Sequence, residues 1–486
     1  MHRVHRWFPL LLVAAALLAN RVDAQPMLAA PQADAGRPID LPTALRLAGV
    51  SNPEILLARA RIIEADAQRQ YAAAQFLPNI NVGTNFDHHQ GPVQDSSGEL
   101  IKVNRDSLYV GLGAGAVGAG TVTVPGVFWA ANVSDVWYNH LVTRQVVRQR
   151  QFESEAVRND VLLRVASAYM ELLRANARQA IAMQIRDDAG EVARVTANFA
   201  KTGQGRKADA DRAATELEQR KSEVIQAQSE IELASARLCQ LLSLNPSERL
   251  APMESHAVPS SLVPEPIPLP ELLAIALMQR PELRERQAAI RAALLELRHM
   301  KMLPFSPQVL LGYSAGSFGG GSNLVADAGQ PRFGDFNNRE DVDVVMYWSL
   351  RNLGVGNVAL IRSARSQLRQ SELRAVETLD RVRAEVASAK ARIEARLAQI
   401  DTNEKAIQSS QTAFKQDLDR TRNNIGLPIE VLDSLRLLGR SRLAYLDAIV
   451  DYNRAQFELY VALGQPPADT LARPVPMALG APVPTK

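Results

Sequence analysis

Two carboxylates set three residues apart, Glu430 and Asp433, follow Gly426 and Pro428. That spacing puts both on one face of a helix in its first turn, where the helix dipole favours negative charge. Asp209 and Asp211 stand after a second turn at Gly203 and Gly205, and Arg206, Lys207, Arg420 and Arg422 are the cations beside the two turns able to pair with the acids. A plain role as helix-starting acids stays open for all of them. Nothing else in the chain points to chemistry. There is no phosphate loop, no metal-spaced His or Cys set and no nucleophile motif, so no catalytic residue, metal or cofactor is expected. His88-His89 reads as a solvated strand end, and most other carboxylates read as helix faces with basic neighbours, as Glu153 and Glu155 do beside Arg150 and Arg158.

The elements that must position these residues come in duplicate. Ile39-Asp40-Leu41-Pro42, Asn52-Pro53-Glu54 and Leu77-Pro78 recur as Ile267-Pro268-Leu269-Pro270, Arg280-Pro281-Glu282 and Leu303-Pro304. Leu41-Pro42 and Pro53-Glu54 keep one constant spacing from their counterparts, so a unit of roughly half the chain is repeated. The spacing predicts helices over 42–76, 134–199 and 207–244, and again over 270–302, 355–423 and 428–463. A break is expected at Pro53 and at Pro281, where Pro suits the first turn of a fresh helix. Leu379, Val386, Ile393, Ile400, Ile407 and Phe414 fall seven apart, as do Leu217, Val224, Ile231 and Leu238. Heptads sustained this long mean coiled-coil packing. Turns at 203–206 and 423–428 then reverse the long helices, with Gly and Pro where such turns need them.

Composition excludes several classes. A formal charge of +3, with basic and acidic residues interspersed, leaves no patch for nucleic acid. His2, Arg3, His5 and Arg6 before an apolar run from Trp7 to Leu18 read as a leader ending near Ala24, too short to span a membrane. The lone Cys239 rules out an internal disulfide framework and lies on an apolar helical stripe, where an inert core thiol is expected. The organisation is therefore a leader over 1–24, one repeat over 25–266 ending in a Pro-rich link, a second over 267–465 and a Pro/Ala-rich tail over 466–486.

Before each long helix the heptads give way to alternation. Ile80, Val82, Thr84 and Phe86, then Leu108, Val110, Leu112 and Ala114, face one way; Val309, Leu311 and Tyr313, then Val342, Val344, Met346 and Trp348, do the same in the second half. Segments of about ten residues with one apolar and one polar face match transmembrane β-strands. Trp348 falls where an interfacial aromatic belongs. Four strands cannot close a barrel, so copies must pool them, and three copies would give twelve. The Gly/Ala/Val-rich run from Gly111 to Trp129 is too long for one strand; it extends the strand, forms a plug-like insertion or lies on the membrane surface.

The paired Leu-Pro openings with Pro-Glu, the strand pairs, Trp348-Ser349-Leu350-Arg351-Asn352-Leu353-Gly354, Ile425-Gly426, Val431-Leu432-Asp433 and Ala462-Leu463-Gly464 together resemble the outer-membrane efflux proteins, the TolC-like family. The resemblance covers essentially the whole mature chain. It implies a mainly α protein with a small transmembrane β part. It implies a homotrimer whose twelve-stranded barrel in outer-membrane lipid continues into a long α-helical barrel across the periplasm. The implied function is a passive exit duct for efflux or type I secretion, recruited by an inner-membrane pump through a periplasmic adaptor. In that family the acids just past the second turn line the periplasmic mouth, which matches Glu430 and Asp433 here, and the turns at Gly203, Gly205, Gly426 and Pro428 would face the adaptor. A secreted or periplasmic coiled-coil protein without a channel is the alternative; it leaves the alternating strand pairs unexplained.

Overall fold

The computed structural model describes residues 36–117, 120–254, 257–263, 267–324, 336–423 and 425–465. The expected leader and tail lie outside them. Helix α1 (Leu41–Ser51) begins where the Asp40 side chain accepts the Thr43 amide at 3.0 Å. It stops at Asn52, whose side chain accepts from the Glu54 amide at 2.9 Å and so opens α2 (Pro53–Ala74). The same Asn52 donates to the Leu241 carbonyl at 2.8 Å, fixing the break against a distant helix. In the second half α5 (Leu269–Gln279) and α6 (Pro281–Met302) repeat the break with another device. There the buried Arg280 side chain pairs with Glu282 at 3.1 Å and with Glu385.

The long elements are α3 (Val133–Lys201) and α7 (Val355–Arg422), each about 100 Å at 1.5 Å per residue. They reverse into α4 (Lys207–Leu242) and α8 (Pro428–Ala462). Their packing follows the heptads. On α7, Val382, Val386, Ala389, Ile393, Ile400 and Phe414 are buried; on α4, Ala227, Ile231 and Leu238 are. One apolar cluster joins α1, α3, α4 and α8, a second joins α5, α7 and α8, and a third sits at the far end of the helices. Cys239 is buried in the first.

Between the clusters runs a belt of ion pairs across helices. Arg174 of α3 pairs with Asp451, Arg178 with Asp447 at 3.0 Å, and Arg396 of α7 with Asp451 at 3.1 Å. Arg392 meets Glu458 at 2.8 Å. Pairing between helices, not only along them, is the departure from expectation, and Glu153 shows both: Arg150 reaches it at 2.5 Å and Arg61 of α2 at 3.4 Å. The link between halves lies on α8, where Asn453 accepts from the Ser260 amide at 2.8 Å and Gln456 from the Val263 amide at 3.2 Å. Strand β1 (Arg37–Ile39) pairs in parallel with β7 (Leu250–Pro252) of the same link.

The remaining strands form one antiparallel sheet: β2 (Asn79–Ile80), β3 (Val82–Gln94), β4 (Leu100–Ala114), β5 (Val124–Pro125), β6 (Val127–Asn132), β8 (Gln308–Ser322) and β9 (Asn337–Tyr347). Four long positions run across it. β4 and β6 both pair with β8, along Arg105–Leu112 and Val127–Asn132, so they share one position with an excursion between them. The described residues of the segment 111–129 leave the sheet after Ala114, return through β5 and continue as β6. The strand Val127–Asn132 carries no alternation that the sequence would show, because Phe128-Trp129-Ala130-Ala131 does not alternate. His88-His89 is likewise no strand end, since β3 runs on to Gln94 and His88 Nδ1 lies 2.6 Å from Asp106 Oδ1.

Candidate functional site

The helix reversals lie together at the end of the molecule remote from the sheet, over the third apolar cluster of Ile185, Val192, Ala213, Phe414, Val431 and Leu435. In the first, the Phe199 carbonyl accepts from the amides of Gln204 at 3.0 Å and Gly205 at 2.9 Å. In the second, the Arg420 carbonyl accepts from Ile425 at 2.9 Å and Gly426 at 3.1 Å. Gly203 takes a φ of 76°, open to glycine without strain. Gly205 and Gly426 serve a different need: a Cβ on either would stand 3.0 Å from the Cβ of Phe199 or Arg420. Pro428 then starts α8, where its missing N–H is no loss.

The candidate acids are separated by this geometry. Glu430 turns back on its own reversal: its carboxylate accepts from the Leu427 amide at 3.3 Å and lies 3.8 Å from Arg420. Asp433 is exposed and 3.6 Å from Arg436, one turn further along α8. Asp209 pairs with Arg212 at 3.2 Å. Among the described residues no ion pair involves Asp211, Arg206 or Lys207, all exposed at the first reversal. Arg422 bridges out of its own hairpin to Glu191 of α3 at 2.5 Å, and this hydrogen bond holds the Glu191 carboxyl below the usual carboxylate range.

The acid that sequence reasoning missed is Glu216. It is buried between Arg220 of its own helix at 2.5 Å and Arg436 of α8 at 2.6 Å. Burial pushes its carboxyl up, but hydrogen bonds from Arg436 and Arg220 outweigh it and the net shift is downward. The Glu216 and Arg220 spacing is visible in the sequence; Arg436 is not, because nothing in a periodicity sets the register of helices so far apart in the chain.

At the sheet end, Trp348 is exposed and its indole donates to the Phe305 carbonyl at 3.2 Å. Trp129 does the same in the first half, donating to the Gln75 carbonyl at 2.7 Å. Beneath them His299 of α6 reaches Asp135 of α3 at 2.7 Å and stacks on Tyr138 with ring centres 5.6 Å apart. Burial would lower its pKa, yet the hydrogen bonds to Asp135 and Glu296 prevail and raise it to about 9. Among the described residues no cluster of His, Cys, Asp or Glu is placed to hold a metal, and no helix is long and apolar enough to cross a membrane.

No protein-family model matches the chain, and no curated protein matches it in sequence. Its fold does match solved structures. The outer-membrane channel OprN is similar with a TM-score of 0.72 at 20% identity, over 87% of this chain and 89% of that one. The CmeC outer membrane channel of Campylobacter jejuni gives 0.73 at 14%, over 90% and 94%. The open state of the MtrE outer membrane channel of Neisseria gonorrhoeae gives 0.66 at 18%, over 87% and 89%. The chain thus has the TolC-like fold of these channel proteins, mainly helical with a seven-stranded antiparallel sheet.

Proposed function

We propose that three copies of this chain form a channel in the outer membrane, with the helices extending through the periplasm. It serves as the passive exit duct of a tripartite efflux or type I secretion system. The observation that carries the reading is the sheet. Its register puts Val82, Phe86, Val110, Val342 and Val344 on one face and Asn85, Asp87, Arg105, Asp341 and Asp343 on the other. The apolar face is open: Val82 is 77% exposed and Val342 71%. β3 pairs with β4 and β9 with β8, and each has a free outer edge among the described residues. A sheet apolar outside, polar inside and unpaired at both edges is the wall segment of a barrel that other copies complete.

The likeness to solved outer-membrane channels supports the same reading, and with it a role that is not enzymatic. The helix reversals form the periplasmic tip, where an adaptor and an inner-membrane pump would engage Gly203, Gly205, Gly426 and Pro428. Glu430 and Asp433, with Asp209 and Asp211, give the aperture its negative charge, and Arg206, Lys207, Arg420 and Arg422 offset it. Trp348 sits at the lipid interface. Membrane fractionation followed by unheated electrophoresis tests the assembly, and current across planar bilayers tests the channel. Heat-resistant trimers in the outer membrane that conduct are expected. A soluble periplasmic pool without conductance would mean a coiled-coil structural protein instead.

A further inference from the structure

The excursion inside the second strand position has a fixed place on the sheet. Residues 113–126 stand opposite the single residue Ser314, since Leu112 pairs with Ala315 and Val127 with Tyr313. The excursion folds back on itself, Gly113 against Pro125 and Ala114 against Val124, and Thr123 donates to the Gly115 carbonyl at 2.8 Å. Its described limbs, 115–117 and 120–125, then lie down on one face. Asn85 accepts from the amides of Gly115 at 2.9 Å and Ala116 at 3.0 Å and donates to the Ala116 carbonyl at 3.2 Å. Ser314 accepts from the Gly126 amide at 3.2 Å, and Arg339 donates to the Gly120 carbonyl.

All of these sheet residues share a face, because Asn85 pairs with Tyr109, Tyr109 with Phe318 and Gly316 with Arg339. That face is the polar one. Glycine makes the room: a Cβ at Gly316 would come 2.8 Å from the Tyr109 ring, and one at Gly312 would come 3.0 Å from Pro125. Tyr109 is fully buried beneath the limbs, together with Ala116 and Val122 and packed by Phe318. Arg339 holds the assembly down, stacking over Phe318 at 5.1 Å and pairing with Asp341 at 2.9 Å.

We infer that this excursion is a ledge inside the lumen, and that three ledges narrow the barrel at a second level far from the periplasmic tip. The inference rests on the trimeric channel proposed above. Between 115 and 124 the chain carries no ionisable side chain, so the ledge itself brings no charge, and Arg339 beside it is paired with Asp341. The narrowing sorts solutes by size, whereas the acids at the tip act on charge. Opening the tip alone then leaves the β-barrel at its ledge-limited width.

Two variants of the full-length protein test this in planar bilayers. In one, Gly115–Thr123 are replaced by Asn-Gly, a two-residue turn suited to the paired Ala114 and Val124. The other is Thr121→Arg, at an exposed ledge position. The shortened loop should raise single-channel conductance about twofold or more, and Thr121→Arg should shift the reversal potential toward anions, as a charged pore ring does. If wild type conducts and both variants keep its conductance and reversal potential, the ledge does not line the lumen. If the shortened loop fails to assemble, Thr121→Arg decides by its reversal potential. A wild type that never conducts overturns the channel itself, a separate result.

Discussion

At the first reversal the Phe199 carbonyl gathers two amides, and at the second the Arg420 carbonyl gathers two in the same pattern, yet the charges around them are wired differently. The second keeps its acid local, Glu430 tied back to Arg420 at 3.8 Å in an exposed pair. The first hairpin places its decisive acid two turns inward, where Glu216 is buried and binds Arg436 of the other hairpin. Glycine and the hydrogen-bonded turn set the backbone; the charges are free to serve either the surface or the joint between hairpins. Similar tips can therefore differ in what locks them.

The largest expected effect comes from that joint. Glu216→Ala removes the buried carboxylate that joins Arg220 to Arg436, leaving them only Glu223 and Asp433 at the surface, and should cost about 3 kcal/mol, as breaking a buried ion pair does, measured by denaturant unfolding of detergent-solubilised protein. The pH dependence follows the downward shift: the stabilisation is present above the ordinary glutamate value and is lost as pH falls through the depressed folded value. A variant as stable as wild type, with an unchanged acid limb, would erase the distinction between the two hairpins.

The other end of the helices supplies the contrast in pH. His299 has its pKa raised to about 9 from 6.5, so its contribution is complete below about 6.5 and fades as pH rises through about 9. His299→Gln should remove about 2 kcal/mol at neutral pH and flatten the alkaline limb. Hydrogen exchange should then quicken at the junction of α3 and α6, not at the tip.

Smaller effects separate backbone from charge. Gly203→Ala forces a positive φ on an alanine with nothing within 4 Å to clash, so strain alone should cost about 1 kcal/mol, read as faster proteolysis at the first reversal. The double change Glu430→Ala with Asp433→Ala should cost less than about 0.5 kcal/mol, since both are surface pairs. In the channel proposed above, whose acidic tip should favour cations, it should nevertheless weaken that preference, and an unchanged reversal potential would leave those acids as helix starters only.

Much of this architecture is legible in the sequence because it is periodic. The heptad from Leu379 to Phe414 predicts the buried side of α7, and Pro53 and Pro281 mark breaks whose caps the structure then supplies. What stays hidden is register between distant segments. Glu216 looks like any helix-face acid until α8 brings Arg436 beside it, and Val127–Asn132 looks like a loop until β8 pairs with it. The excursion over 113–126 reads as low-complexity sequence; only its contacts with Asn85, Ser314 and Arg339 place it on the polar face.

Arg174 and Asp451 meet where α3 and α8 cross the ion-pair belt, and beyond that point α3 continues without interruption to Lys201. Residues 174–201 make an arm of about 40 Å, so a tilt of about 5° about the belt would carry its far end, packed in the third cluster and bonded through Glu191 to Arg422, roughly 3.5 Å. Groups within 5 Å of the pivot move less than about 0.5 Å in the same swing, little enough for their hydrogen bonds to persist. In such a tilt the helix would act as a lever with its fulcrum already bonded, and a small strain at the belt would arrive magnified at the contacts of the far end.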